Sequence, residues 1–276
     1  MYCLLFPGQG VQRRGMGSGL LEKFGSLTAR ADEVLGYSIA DLCLRDPRGQ
    51  LRETEFAQPA IFFVNALHGI ERTALRRYGY FAGHSLGEYN ALVAAGCLDL
   101  LDALALVRDR ARAMATVRGG GMAAVVGLDT EVVADALGLA GLPGVEVANR
   151  NSDQQTVIAG DREQLRLAAS VLKLAGARAV TMLNVSGPFH SSLMAPAVRA
   201  FEPVVSGYRF AEPTDVVMST VTAAPFVWQK AVDLLCRQID HPVEWVRTVQ
   251  ALRAAGVTEF DEVNGATLTT LLRGIH

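Results

Sequence analysis

The chain has 276 residues, of which 50% are hydrophobic and 20% are charged, and its formal net charge at pH 7 is −2. This composition supports a sizeable core, disfavours disorder, and gives no basic footprint for nucleic acid or a membrane surface. The length fits one large α/β unit, or one such unit that carries a subdomain. No apolar run is long enough to span a bilayer, so we expect a soluble, cytoplasmic protein.

The four cysteines, Cys3, Cys43, Cys97 and Cys236, lie among apolar neighbours without CxxC spacing. They are typical of reduced core thiols and not of a disulfide framework or a metal site. A P-loop, a dinucleotide-binding glycine motif and an HExxH helix are all missing from the sequence. We therefore expect no bound cofactor and no metal.

The first 118 residues show short apolar runs that alternate with helical patterns. Tyr2–Phe6 is an apolar run that is broken by Pro7-Gly8-Gln9-Gly10, as in a buried strand that enters a tight loop. Because strands and helices alternate, we expect a parallel sheet with helices on both faces. The other elements predicted here are helices at 20–35, at 59–77, at 88–95 and from Asp99 or Asp102 to about 117, and a strand at 80–82.

Gly119-Gly120-Gly121 is the clearest boundary in the chain. The predicted elements beyond it follow the order βαββαβ, which is that of a ferredoxin-like unit. Strands are predicted at 122–126, 145–148, 155–159 and 179–183, and helices at 130–139 and 162–175. We therefore expect a small subdomain over residues 119–185, inserted into a large domain of residues 1–118 and 186–276.

The segment after residue 185 is expected to return to the large domain. Its predicted elements are helices near 195–201, 229–237 and 243–255, a strand at 258–262 and a terminal helix at 268–272. The predicted fold class is therefore α/β, with a large α/β-hydrolase-like domain that contains a parallel sheet and with an inserted ferredoxin-like subdomain.

Gly83-His84-Ser85-Leu86-Gly87 fits the pattern G-x-S-x-G, with a predicted strand before it and a helix after it. In that context a serine lies on a sharp turn, and the N–H groups that follow can face a developing oxyanion. The alternative is an incidental Gly-Ser turn, since the pattern alone often arises by chance. The strand–turn–helix context favours a nucleophile.

Several motifs in the same order along the chain resemble one known family. With the two residues that follow it, the serine motif reads Gly83-His84-Ser85-Leu86-Gly87-Glu88-Tyr89. This run is similar to the signature of malonyl-CoA:acyl carrier protein transacylases and of the acyltransferase domains of polyketide synthases. The other matching runs are Phe6-Pro7-Gly8-Gln9-Gly10, Gln58-Pro59-Ala60, Gly121-Met122-Ala123-Ala124-Val125 and Gly187-Pro188-Phe189-His190-Ser191. The resemblance covers nearly the whole chain and is strongest to free-standing acyltransferases that serve polyketide synthases in trans.

The resemblance implies a role for each residue of the reaction centre. Ser85 carries the acyl group as an ester, and because a serine hydroxyl is unreactive alone, His190 acts as its general base. The main-chain carbonyl of Gln238 orients this histidine. The oxyanion hole is expected from the N–H groups of Gln9 and Leu86. An unperturbed histidine base predicts that acylation rises with pH through an apparent pKa of about 6 to 7.

Arg110 lies on the apolar face of its predicted helix, whereas Arg108 and Arg112 fall on another side. A buried guanidinium needs an anionic partner, and its planar fork suits a carboxylate. The resemblance implies that this partner is the free carboxylate of a malonyl group, with Gln58 as a polar contact nearby. The alternative is a structural salt bridge to a protein carboxylate. The apolar positions around Arg110 are Ala103, Leu106, Val107, Ala113 and Met114.

Two further residues complete the predicted site. His84 is expected to support the serine turn, and Phe189 resembles the bulky residue that leaves little space for a 2-methyl branch in malonyl-selective enzymes. His68, His241 and His276 are expected to be structural. Where the family usually ends its last loop with Gly-Pro-Gly, this chain has Val263-Asn264-Gly265, a departure that alters either the pocket rim or only the loop.

The predicted function is transfer of malonate from malonyl-CoA to the phosphopantetheine thiol of an acyl carrier protein, in support of a polyketide synthase. One alternative is an acyl hydrolase that clears stalled carrier proteins, although such relatives tend to lack the arginine. Another is a housekeeping malonyl transacylase of fatty-acid synthesis. A third is a non-catalytic docking protein, which the retained Ser85 and His190 disfavour. The expected partners are a CoA thioester and an acyl carrier protein, without nucleic acid or membrane.

Overall fold

The computed structural model describes residues 1–276, which form eight strands and twelve α-helices. The strands are β1 (Tyr2–Phe6), β2 (Tyr80–Gly83), β3 (Gly120–Val126), β4 (Val145–Ser152), β5 (Gln155–Asp161), β6 (Ala179–Met182), β7 (Val216–Met218) and β8 (Glu259–Glu262). The helices are α1 (Leu20–Lys23), α2 (Gly25–Leu35), α3 (Ile39–Leu44), α4 (Thr54–Leu75), α5 (Gly87–Ala94), α6 (Leu100–Ala115), α7 (Thr130–Leu139), α8 (Arg162–Leu174), α9 (Ala195–Val205), α10 (Ala231–Asp240), α11 (Trp245–Ala254) and α12 (Thr267–Leu272).

The first sheet has the strand order β7-β2-β1-β8, and every neighbouring pair is parallel. Strand β1, one of the two inner strands, is buried on both faces. Successive side chains of a strand point to opposite sides of the sheet, and here both sides are covered. Leu4 and Phe6 enter the largest apolar cluster, whereas Cys3 and Leu5 enter a second cluster on the other face. The predicted parallel sheet between two helical layers is confirmed.

The second sheet has the order β4-β5-β3-β6, and all its pairs are antiparallel. Helices α7 and α8 pack against it and close a separate apolar cluster. The buried positions of α8, Leu165, Ala168 and Leu172, recur at intervals of three and four residues, as an amphipathic helix requires. The chain order βαββαβ and the strand order are those of a ferredoxin-like unit, so the predicted fold class is confirmed.

Some element boundaries differ from those predicted. Helix α4 begins at Thr54 and not at Pro59, because the turn before the proline already buries Ala57 and Gln58 in the interior. The helical pattern over 20–35 is interrupted at Phe24, whose backbone leaves the helical region. Helix α3 and strand β7 were not predicted, and each is at most six residues long.

The four cysteines meet a further expectation of the sequence. All four cysteines are free and buried, as predicted. None of the helices combines the length and the apolar character needed to cross a membrane.

Candidate active site

Ser85 lies on the turn between β2 and α5, where its backbone has a φ of 50°. The left-handed region is uncommon for a residue with a side chain, and such strain clusters at functional sites. The turn lies directly against β1, since the N–H of His84 donates to the carbonyl of Phe6 at 3.0 Å. A side chain at Gly87 would overlap the same carbonyl. The G-x-S-x-G run therefore forms the strained turn that a nucleophile elbow requires.

His190 contacts the serine hydroxyl from the opposite wall. Its Nε2 lies 2.8 Å from Ser85 Oγ, and its Nδ1 lies 2.8 Å from the main-chain oxygen of Gln238. Because a carbonyl oxygen only accepts, Nδ1 carries the proton and Nε2 is left as an acceptor for the serine proton. The backbone of His190 is also strained, with a φ of 61°, and its main-chain N–H donates to the carbonyl of Ile239 at 3.0 Å. This geometry suits a general base.

The ionisation of His190 differs from the sequence expectation. Burial, together with the positive charge of Arg110 and the neighbouring His84, lowers the pKa of His190 from 6.5 to about 3. The expected rise of acylation through a pKa of about 6 to 7 is therefore wrong for this histidine. The sequence could not indicate this shift, because it arises from burial and from a charge 80 residues away along the chain.

We expect kcat/KM for serine acylation by acetyl-CoA to be flat between pH 5 and 8, because His190 is already neutral throughout that range. The folded pKa is depressed, so protonation removes the base only as the pH falls towards 3. Replacement of Arg110 by glutamine removes a positive neighbour and should raise the pKa of His190, with burial still holding it below 6.5. Rapid-quench kinetics across pH 4 to 8 check both profiles. A wild-type rise in kcat/KM centred between pH 6 and 7 would contradict the low pKa of His190.

Two main-chain N–H groups are free to bind an oxyanion beside the serine. Neither the N–H of Gln9 nor that of Leu86 donates to a protein acceptor. The loop that carries Gln9 passes so close to the elbow that a Cβ at Gly8 would lie 2.5 Å from the carbonyl oxygen of His84. The side chain of Asn65 fixes the same loop by donating to the carbonyl of Pro7 at 3.0 Å. These donors are available to a tetrahedral intermediate.

Arg110 is 1% exposed, which confirms the burial predicted from its position on the apolar face of α6. Its Nη1 donates to Gln58 Oε1 at 2.7 Å, and its Nη2 donates to Gln238 Oε1 at 2.9 Å and to Ser85 Oγ at 3.3 Å. The ring of Tyr89 lies beneath the guanidinium, with 5.5 Å between its centroid and Cζ. The arginine is thus held against the serine by neutral groups alone.

No protein carboxylate forms an ion pair with Arg110, so the structural salt bridge that the sequence left open is not found. Its Nε is buried without an acceptor. Burial lowers the pKa of the guanidinium, although an arginine remains charged in proteins. An anionic ligand beside Ser85 would satisfy this charge, which is costly to leave unpaired.

The predicted residues surround one cavity of about 170 Å³. Gln238 lies behind its wall and contacts both His190 and Arg110. Phe189 is 5% exposed and lines the same cavity as Ser85. The other predicted residues that line the cavity are Gln9, Gln58, His84, Ser85, Leu86, Arg110 and His190.

Sequence reasoning missed two asparagines on β4 that also line the cavity. His84 Nε2 lies 2.9 Å from Asn151 Oδ1, and Asn149 is placed next to it on the same wall. They were missed because the predicted strand ended at residue 148, before both asparagines, whereas β4 continues to Ser152. The ring of His84 also packs on that of Trp245, with 5.7 Å between their centroids, so His84 joins the elbow to β4 and α11.

The departure at Val263-Asn264-Gly265 lies outside the cavity lining. Asn264 has a φ of 56°, which asparagine tolerates better than most residues. Its Nδ2 donates to Asn65 Oδ1 at 3.2 Å, and Asn65 in turn holds Pro7. The departure therefore ties the last loop of the chain to the first loop, which carries Gln9.

No group of three or more His, Cys, Asp or Glu side chains is placed to hold a metal ion. A strained serine, a histidine fixed by a carbonyl and free N–H donors together form a site of the serine acyl-transfer class. The family described as acyl transferase domain matches residues 3–263. The chain therefore belongs to this acyltransferase family.

Known proteins of similar sequence and structure align with this chain over nearly its whole length. The Bacillus subtilis protein "Polyketide biosynthesis malonyl CoA-acyl carrier protein transacylase PksC" is 43% identical over 279 residues, which cover 100% of this chain and 97% of that protein. A solved malonyl CoA-acyl carrier protein transacylase from Burkholderia pseudomallei is 40% identical with a TM-score of 0.96, over 100% of this chain and 97% of that one. A malonyl transacylase solved in complex with its type II PKS acyl carrier protein is 34% identical with a TM-score of 0.94, over 99% of this chain and 92% of that one.

Proposed function

We propose that this protein transfers malonate from malonyl-CoA to the phosphopantetheine thiol of an acyl carrier protein, through an ester on Ser85. The observation that carries the proposal is the 3.3 Å contact between Ser85 Oγ and Arg110 Nη2 in one small cavity. In a malonyl thioester one methylene group separates the reacting carbonyl from a carboxylate. A nucleophile directly beside an unpaired guanidinium matches that short spacing.

In the first half-reaction Ser85 Oγ attacks the thioester carbonyl carbon while His190 Nε2 accepts the hydroxyl proton. The carbonyl oxygen becomes an oxyanion that accepts hydrogen bonds from the main-chain N–H groups of Gln9 and Leu86. When the C–S bond breaks, His190 returns the proton to the departing CoA sulfur, and malonate remains on the serine as an ester.

The second half-reaction runs through the same groups in reverse. His190 accepts the proton of the carrier's phosphopantetheine thiol, whose sulfur attacks the ester carbonyl. The oxyanion forms again at the two N–H groups, and the proton passes to Ser85 Oγ as the C–O bond breaks. Arg110 pairs with the acyl carboxylate throughout, with Gln58 beside it, and Phe189 limits the space for a 2-methyl branch. The protein supplies every group that these two half-reactions need, so we propose no bound cofactor.

Polyketide supply is favoured over a housekeeping role by the 43% identity to a relative that is named for polyketide biosynthesis. Hydrolysis is disfavoured by Arg110, which a hydrolase of neutral acyl groups would leave buried without a counter-charge. A docking role without catalysis gives no reason for two strained residues, Ser85 and His190, to meet at 2.8 Å.

We further propose that residues 119–185 form a subdomain inserted into a domain of residues 1–118 and 186–276, and that the protein acts in the cytoplasm. The separate apolar cluster between β3–β6 and helices α7 and α8 supports this division. The catalytic cavity includes side chains from both parts, among them Ser85 and His190 from the larger and Asn149 and Asn151 from the smaller. The two thiols would therefore enter between them.

Product analysis separates the three candidate functions. With malonyl-CoA and a phosphopantetheinylated carrier protein, we expect malonyl-carrier to accumulate in step with the loss of malonyl-CoA, with little free malonate. An unmodified apo-carrier, which has no thiol arm, is the matched control and should stay unlabelled. Free malonate as the main product would instead indicate a hydrolase, and no turnover of malonyl-CoA would indicate a docking protein.

A further inference from the structure

Glu88 is a buried acidic residue to which the reaction sequence assigns no role. It lies on α5 three residues after the nucleophile and is 1% exposed. Its Oε2 accepts three hydrogen bonds, from the N–H of Thr220 at 3.3 Å, the hydroxyl of Thr220 at 2.6 Å and Gln238 Nε2 at 2.7 Å. Its Oε1 has no partner. The carboxyl group therefore faces inwards, towards the back of the active site.

Gln238 connects this carboxyl group to Arg110. Its Nε2 donates to Glu88, while its Oε1 accepts from Arg110 Nη2 at 2.9 Å. The opposite amide orientation would face the NH₂ group towards the guanidinium, which has donors only, so it is excluded. The side chain of Glu88 accepts from the other end of the amide and thereby holds Gln238 in place beside Arg110.

We infer that Glu88 is a positioning residue for acyl selection, which acts on Arg110 through the side-chain amide of Gln238. This inference rests on the proposed function, because it concerns how the arginine receives the malonyl carboxylate. The amide also serves as a spacer between the carboxyl group and the guanidinium. A carboxylate in direct contact with Arg110 would pair with it and compete with the acyl carboxylate, whereas Glu88 lies two hydrogen bonds away.

The role of Glu88 is separable from the base chemistry at His190. The histidine depends on the main-chain carbonyl of Gln238, which belongs to helix α10 and does not need the side-chain amide. Loss of Glu88 should therefore disturb the arginine and leave the serine–histidine pair in place. Burial raises the pKa of Glu88. Because Glu88 Oε2 only accepts hydrogen bonds, a neutral side chain with an oxygen at this position can form the same contacts.

The test compares Glu88→Ala with Glu88→Gln, and the measured quantity is the malonyl-to-acetyl ratio of kcat/KM for serine acylation. Glu88→Ala removes the acceptor that holds the Gln238 side chain, so Arg110 loses its fixed partner and the ratio should fall by about tenfold or more, with acetyl-CoA little affected. Glu88→Gln keeps an oxygen acceptor for Thr220 and Gln238 and should restore the ratio to within about threefold of wild type. Equal losses for both acyl groups in Glu88→Ala, or no rescue by glutamine, would overturn the inference.

Two further variants keep the test informative if Glu88→Ala is unstable. Gln238→Met removes the amide but keeps the main-chain carbonyl, so it should lower the ratio as Glu88→Ala does, and the double variant should show no additional loss. Asn90→Ala is the matched control, because it removes another buried hydrogen bond of α5, to the carbonyl of Phe62, without contact to Gln238. It should lower the melting temperature and leave the ratio unchanged.

Failure of the proposed function is distinguishable from failure of this inference. If the protein does not select malonate, the wild-type ratio is near one and Arg110→Ala leaves it there, which overturns both. If only the inference fails, wild type and Arg110→Ala differ strongly in their ratios. Glu88→Ala then retains the wild-type ratio, and additive losses in the double variant would overturn the inference in the same way.

Discussion

Replacement of Arg110 by alanine is expected to lower kcat/KM for malonyl-CoA by about 30- to 4,000-fold, which corresponds to about 2–5 kcal/mol. The loss is large because the malonyl carboxylate would lie against the buried wall of the cavity without its counter-charge. Acetyl-CoA has no carboxylate, so its kcat/KM should change little or improve, since the variant removes a buried charge that acetyl-CoA leaves unpaired. The informative quantity is therefore the malonyl-to-acetyl ratio, from acylation kinetics with the two thioesters.

Arg108→Ala is the matched control on the same helix. Arg108 is partly buried, pairs with Asp109 at 2.8 Å and donates to the carbonyl of Val34 at 2.6 Å, but it does not line the cavity. Its loss should affect the melting temperature and leave the ratio unchanged. Parallel losses for both acyl groups in Arg110→Ala, together with a lower melting temperature, would show that this arginine is only structural.

The sequence predicted those elements best whose ends carry their own signals. Helix α7 spans 130–139 as predicted, since an aspartate, a residue type common before helices, stands at 129 and the buried residues Val133 and Leu137 lie one turn apart. The burial of Arg110 followed from the same kind of pattern, because its neighbours at three- and four-residue intervals are apolar. Strand β7 was missed because three residues at a sheet edge give no period to read.

The site could be predicted only in part from local patterns. The serine turn has its own signature, but His190 meets Ser85 across 105 residues of sequence, and only the family resemblance indicated that pair. The side-chain contacts of Gln238 with Glu88 and Arg110 could not be inferred, because they join three separate helices. The low pKa of His190 likewise depends on burial and on nearby charge, which no spacing in the sequence expresses.

Replacement of Ser85 by alanine is expected to abolish the covalent malonyl adduct, because no other group would be left to form the ester. Folding should be retained, since the lost hydroxyl contacts only His190 and Arg110, and alanine can occupy the same turn at a modest cost in strain. Ser186→Ala is the matched control. It removes a hydroxyl that lies 2.7 Å from Thr54 Oγ1 near the cavity without contacting His190, and it should form the adduct at the wild-type yield.

The most direct measurement is the intact mass of wild type and Ser85→Ala after mixing with malonyl-CoA, followed by peptide mapping and by a chase with phosphopantetheinylated carrier protein. We expect the wild-type protein to gain one malonyl group on Ser85, and the chase to move that group onto the carrier. The variant should show no gain in mass. A malonyl group on another residue, or an adduct of normal yield in Ser85→Ala, would contradict acyl transfer through this serine.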